Sequence, residues 1–397
     1  LFYYFLLYVK IKMLNSYKNE VIFMEQNSKI KFNDEEMAKH AKCFNQLCAK
    51  NNIASFWWDT NFLIKREEKQ TFPKVINAIM ECYSDKKMIK NDSSHFECAK
   101  AAVNNMKAGW NLGNTLDANK SSCVFNEEKN LWEETINLTG LETETCWFMP
   151  HTTPQMIHYV KELGFNAVRL PVTWAGHLDE NNVVDSKWMA RVKEIADYVL
   201  KEDMYCIINV HHDAGGRGWV RACESSFNQY SNRLRAIYTQ LANTFADYGE
   251  KLLLSGINEI LDEKSSWADP TPQASFWCDK WNQLFVDAVR GTGGKNKERN
   301  LVVMGPAGKS SKIAMEQFNM PSDIVENHLI FEFHNYDPQS FCWPQNKDGS
   351  NIGETPYWDE EKNPKILEAV FENLMSFADK LNAPIICGEY ASWPKKI

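Results

Sequence analysis

From Lys107 onward the chain alternates short apolar runs with amphipathic stretches, and no other property limits its fold so strongly. Strand-like runs occupy 107–114, 166–172, 205–211, 252–260, 301–304, 329–334 and 384–389. Apolar residues recurring near every 3.6 positions predict helices over 95–105, 153–163, 186–201, 225–247, 273–290, 311–317 and 364–381. Strands separated by helices run parallel and are joined by right-handed crossovers. Seven such strands fall one short of the eight that a (β/α)8 TIM barrel needs.

The missing unit is at the other end. Asn33 and Glu36 make a capping-box pattern, followed by a helix with Met37, Ala41, Phe44, Leu47 and Cys48 on one face. Residues 53–59 read as a buried strand ending in Trp58 and Asp59, and Thr71 is expected to cap a second helix with Pro73 at its first position. A piece of this size, 31–84, cannot hold a core alone. Residues 85–94 read as a linker, and 95–397 as the first seven β/α units. The expected architecture is an α/β barrel in permuted order, the last unit preceding the first. The same pattern allows domain swapping into a neighbouring chain, or a chain spanning parts of two tandem barrels. The self-association expected is therefore monomer or domain-swapped homo-oligomer.

Residues 1–30 are expected to be a disordered or non-native leader. Their apolar start, 1–9, is too short to span a bilayer, and no small-residue cleavage site follows it. A net charge of −8 without a basic run argues against nucleic acid and anionic membranes as partners. The eleven Cys contain no C-x-x-C pair and are odd in number, so buried thiols are expected rather than zinc knuckles or a disulfide framework. Fourteen Trp are more than a core needs and suit a cleft that stacks on sugar faces.

In a parallel barrel the chemistry sits at the C-terminal strand ends. The run 252–260 stops being apolar at Asn258 and Glu259, which makes Glu259 a candidate acid. Glu389 ends the last strand in the same manner. His334 and Tyr336, two apart, share one side of extended backbone. A metal-dependent hydrolase is the competing reading, since His211, His212, Asp213, Glu259 and His334 are all ligand types. It is disfavoured because adjacent histidines on a strand point to opposite sides and no H-x-H or H-E-x-x-H is present. No metal and no cofactor are expected.

Several motifs in order carry a resemblance: Trp110-Asn111-Leu112-Gly113-Asn114-Thr115-Leu116-Asp117-Ala118, Glu144-Thr145-Cys146-Trp147, Val168-Arg169-Leu170-Pro171-Val172-Thr173-Trp174, Asn209-Val210-His211-His212-Asp213, Asn258-Glu259, His334-Asn335-Tyr336 and Gly388-Glu389-Tyr390. Over 96–397 the chain resembles glycoside hydrolase family 5, most of all its cellulase-like endo-β-1,4-glucanases (subfamily 4). Phe56-Trp57-Trp58-Asp59 with its flanking helices resembles that family's final segment, here at the opposite end; Ile260 stands where the family commonly has Pro.

The resemblance implies a retaining β-glucanase with Glu259 as acid/base and Glu389 as nucleophile. Arg169 and Tyr336 would hold the nucleophile, Asn258 would bond the sugar 2-hydroxyl, and His211 and His334 would line the mouth. It makes Trp58 a sugar platform and offers Asn111, Trp147, Trp174, His177, His212 and Trp219 as substrate-binding candidates, His212 in a supporting role. The implied partner is a β-glucan polysaccharide, and a polymer implies secretion. A xyloglucanase, xylanase or mannanase of the same family, and a non-catalytic carbohydrate-binding barrel, stay open as alternatives.

Overall fold

The computed structural model describes residues 32–91, 93–343, 355–395 and 397; the expected leader, 1–30, lies outside them. Eight parallel strands close a barrel: β1 (Ala54–Asp59), β2 (Ala108–Leu112), β3 (Ala167–Leu170), β4 (Tyr205–Val210), β5 (Leu252–Ile257), β6 (Leu301–Met304), β7 (Leu329–Asn335) and β8 (Ile385–Tyr390). Their order around the barrel is β1-β8-β7-β6-β5-β4-β3-β2. The strands β4, β5, β6 and β8 are buried at every position, as expected for a sheet covered on both faces.

The expected helices form where local chemistry starts them. Thr153 accepts from Met156 N ahead of Pro154–Glu162, Asp185 from Lys187 N and Trp188 N ahead of Ser186–Lys201, and Thr271 from Ala274 N ahead of Pro272–Arg290. Each side chain satisfies a backbone N–H that the first turn leaves without a partner. The apolar faces of the long helices then pack on the barrel in one large core. Ala99, Ala102 and Val103 of the short helix Ala99–Asn105 join strand residues such as Phe56 and Ile207 in a second cluster. No helix among the described residues is long and apolar enough to cross a membrane. The eleven cysteines are free thiols, most of them buried.

The N-terminal piece is built into this barrel. Strand β1 pairs with β8 (Ala54 beside Ile386) and with β2 (Ser55 beside Ala108 through Asp59 beside Leu112). Phe56 occupies the space over Gly109, where a Cβ would lie 2.1 Å from its ring. Asn45 Nδ2 donates to Tyr390 Oη (2.8 Å) while its Oδ1 accepts from Ser55 Oγ (2.6 Å). Trp110 Nε1 donates to Asp59 Oδ2 at 2.9 Å.

Several local expectations are corrected. The helix Asp34–Lys50 begins after Asn33, but no capping box forms. Asn33 Oδ1 accepts from Lys395 N (2.7 Å) and Glu36 Oε2 from Trp358 N (2.7 Å), so tertiary contacts take both side chains. Thr71 does not cap Pro73–Glu81; it pairs with Ile64 in a short antiparallel ribbon, and Phe72 stands at the cap. The helix expected over 364–381 breaks at Phe377 into Asn363–Ser376 and Ala378–Leu381. A hairpin, Ser121–Asn126 with Leu131–Ile136, rises from the loop after β2 and was not expected.

Candidate active site

The C-terminal strand ends converge on Arg169, the best-connected side chain of the mouth. It sits on β3 with none of its surface exposed. Its Nη1 donates to Glu389 Oε1 at 2.9 Å and to Asn111 Oδ1 at 3.1 Å, and its Nη2 donates to Asn258 Oδ1 at 2.7 Å. Its Nε lies 2.9 Å from Glu332 Oε1 in an ion pair. The guanidinium thus fixes side chains from β2, β7 and β8 and from the turn after β5. Burial opposes its charge, but Glu332 and Glu389 more than offset that and hold it protonated.

Glu389, on β8, is 4% exposed and gives one oxygen to each of two donors. Arg169 holds Oε1, and Tyr336 Oη donates to Oε2 at 2.9 Å. Burial pushes its pKa up, against the pull of His334 and Arg169. Glu259 follows β5 in left-handed backbone (φ +40°), a conformation few non-glycine residues adopt and one met at functional sites. Gly308 makes room for it: a Cβ there would approach the Glu259 side chain to 3.4 Å and the His334 ring to 3.3 Å.

One carboxylate oxygen of Glu259, one of Glu389 and a ring nitrogen of His334 lie within 4.8 Å of one another. His334 Nδ1 is 2.7 Å from Glu259 Oε1 and 3.6 Å from Glu389 Oε2. Burial disfavours its charge, but the Glu389, Glu259 and Glu332 carboxylates around it push its pKa up to about 10. His334 is therefore a cation at neutral pH, set between Glu259 and Glu389.

His211 is held differently. Asn209 Nδ2 lies 3.0 Å from His211 Nδ1, and burial pushes the ring's pKa well down. The neutral ring then keeps its proton on Nε2, 3.9 Å from Glu389 Oε1. Trp58, at the end of β1, stacks on this ring with centroids 5.4 Å apart and planes 7° from parallel. Half-buried, it presents a flat apolar face at the mouth beside His211.

Of the other candidates, Trp147 and His212 are half-buried at the rim, ring centroids 5.3 Å apart. Four are corrected to supports. Asn111 is fully buried, its amide taken by Arg169 and the Gly388 carbonyl (2.9 Å). Trp174 and Trp219 are buried, their indole N–H groups taken inside the protein: Trp174 Nε1 donates to the Asn209 carbonyl at 3.3 Å and Trp219 Nε1 to Asp213 Oδ1 at 2.8 Å. His177 is buried flat against Trp188, ring centroids 3.8 Å apart.

The expectation that His212 points away from His211 also fails. Strand β4 ends at Val210, so the alternation of a strand no longer applies, and the two rings meet edge to face at 4.5 Å. Asp117, His211 and His212 offer donor atoms within 4.8 Å of each other, as do Glu259, His334 and Glu389. In the first set Asp117 already pairs with His212 at 3.4 Å, and in the second Arg169 and His334 supply the positive charge. We assign neither to a metal.

Two side chains of the site were not singled out in the sequence. Asp117 orients His212, and Glu332 lies beneath the paired carboxylates. The signal for Glu332 was its spacing, since Glu332, His334 and Tyr336 follow one another at every second position.

A closed parallel barrel with two carboxylates this close across its mouth defines a class, the barrel glycoside hydrolases. The chain belongs to glycosyl hydrolase family 5: the cellulase model of that family matches residues 127–395. It is 31% identical over 298 residues to endoglucanase A of Ruminococcus albus, covering 74% of each chain. It is 29% identical over 296 residues to endoglucanase A of Clostridium longisporum, covering 74% of this chain but only 53% of that enzyme. A crystal structure of a family 5 enzyme from Prevotella bryantii B14 superposes with a TM-score of 0.65 at 36% identity, covering 75% of this chain and 80% of the other.

Proposed function

We propose that this chain is a retaining, endo-acting β-1,4-glucanase that hydrolyses β-glucan polysaccharides by double displacement. The observation that carries the reading is the approach of Glu259 and Glu389 to within 4.8 Å. Retention takes carboxyl groups about 5–5.5 Å apart, whereas inversion takes roughly 6.5–9.5 Å to admit a water. Glu389, held by Arg169 and Tyr336, attacks the anomeric carbon, and Glu259 protonates the departing oxygen. Water activated by Glu259 then releases the glycosyl group. Asn258 gives its carbonyl to Arg169, which leaves its amide N–H groups for the sugar 2-hydroxyl. Trp58 supplies the platform beneath the reacting sugar, and Trp147 with His212 extends it along the rim.

Relatives support the polymer as substrate. One solved family 5 structure, from Ruminococcus champanellensis, is described as a broad-specificity endoglucanase with bound cellotriose. Another, from Prevotella bryantii B14, holds a xyloglucan tetradecasaccharide. A polymer of this kind is met outside the cell, and we place the action of this chain there. The test is reducing-sugar release from carboxymethyl cellulose, mixed-linkage β-glucan, xyloglucan, xylan and mannan under one set of conditions. The β-1,4-glucans should lead the series. A chain that acts faster on mannan or xylan, or on none of the five, removes the reading.

We also infer that the barrel order is permuted relative to the family, with β1 in the position of the last family strand. Support comes from its seat between β8 and β2 and its resemblance to the family's closing segment. A self-closed barrel should scatter light as a monomer at every concentration. A dimer persisting on dilution would favour exchange of the N-terminal piece between chains.

A further inference from the structure

The carboxylate of Glu332 is fully buried in a strand that is otherwise apolar beneath the mouth. An unpaired carboxylate there would be strongly unfavourable, so its partners define what it does. Its Oε1 lies 2.9 Å from Arg169 Nε and 3.2 Å from His334 Nε2. Its Oε2 accepts from Ser255 Oγ at 3.1 Å. The neighbouring strand yields space for it, since a Cβ on Gly388 would fall 1.7 Å from Oε1. One oxygen therefore touches both cations of the site. Arg169 holds Glu389, and His334 touches Glu259.

We propose that Glu332 is a positioning residue for the hydrolysis: its Oε1 ties Arg169 to His334 and so sets nucleophile and acid/base in one register. This rests on the function proposed above. Glu332 touches no reacting atom and works through the two cations. It is also the carboxylate that keeps a proton on His334 Nε2, leaving Nδ1–H for Glu259. The charged and titratable groups facing that ring are Arg169 from β3, His211 after β4, Glu259 after β5, Glu332 on its own strand and Glu389 from β8. Removing Glu332 leaves Arg169 and His334 both attracted to Glu389, with nothing holding them from below.

The test uses Glu332→Gln, which keeps the shape and one acceptor but removes the charge. A hydrogen bond to a charged group sets the scale, so kcat on carboxymethyl cellulose should fall about 30-fold with KM within about threefold of the parent. Ring NMR should show His334 losing its proton at least about one pH unit lower, because one of its three carboxylates is gone. Turnover within about threefold of the parent overturns the proposal, and so does lost turnover with an unchanged His334 titration. If Glu332→Gln does not fold, Ser255→Ala frees only Oε2. It should lower kcat about three- to tenfold and shift the same titration, and no change in either overturns the proposal. The titration needs no substrate. An unsubstituted chain inactive on every glucan therefore defeats the proposed function separately from this inference.

Discussion

Glu389→Ala lowers kcat on β-glucan by roughly four to six orders of magnitude, the usual scale for losing a covalent nucleophile. The fold should survive, because Glu389 lies at the mouth and Arg169 keeps Glu332, Asn111 and Asn258 as partners. A near-unchanged melting temperature then separates lost chemistry from lost structure. The space left by the carboxylate admits a small anion, and the Arg169 charge attracts it. Azide should restore turnover of an activated aryl β-cellobioside and give the α-glycosyl azide, since a single displacement inverts the anomeric carbon. An alanine variant that keeps more than about one hundredth of the parent rate would show that Glu389 is not the nucleophile.

Glu259→Ala should divide substrates by leaving group. General acid catalysis contributes about a hundred- to ten-thousandfold when the departing oxygen needs a proton, as it does in a polysaccharide. Dinitrophenolate needs none, so the first step on dinitrophenyl β-cellobioside should slow far less. The second step still lacks its base, so a burst of phenolate should precede slow turnover. Azide should accelerate that turnover and give the β-glycosyl azide, because Glu389 and azide each invert once. Equal losses on the two substrates would move the acid role away from Glu259.

The strand ends were legible because a buried parallel strand is apolar throughout and its last inward residue is free to be polar. Arg169, Glu259, His334 and Glu389 all announce themselves in that way, and all four meet in the structure. Residue type alone could not say which aromatic side chains face the cleft. Trp58 faces it, whereas the Trp174 indole turns inward to the Asn209 carbonyl and the Trp219 indole to Asp213, whose burial raises its own pKa to about 6. Glu332 was hidden for a related reason. In the run Ile330-Phe331-Glu332-Phe333 a carboxylate looks like a solvent-facing residue of an alternating strand, and Arg169, which neutralises it, is remote along the chain. The hairpin after β2 carries four glutamates in 127–134, a composition that reads as loop until its two arms are seen to pair.

During synthesis the seam between β1 and β8 has a temporal cost. Ala54–Asp59 leaves the ribosome first of the barrel strands, yet one of its two neighbours, Ile385–Tyr390, is translated last. Until then its outer edge stays open to any passing strand, the condition under which nascent chains misassociate. The same late strand brings Glu389, the nucleophile of the proposed mechanism, so closing the ring and completing the carboxylate pair fall together.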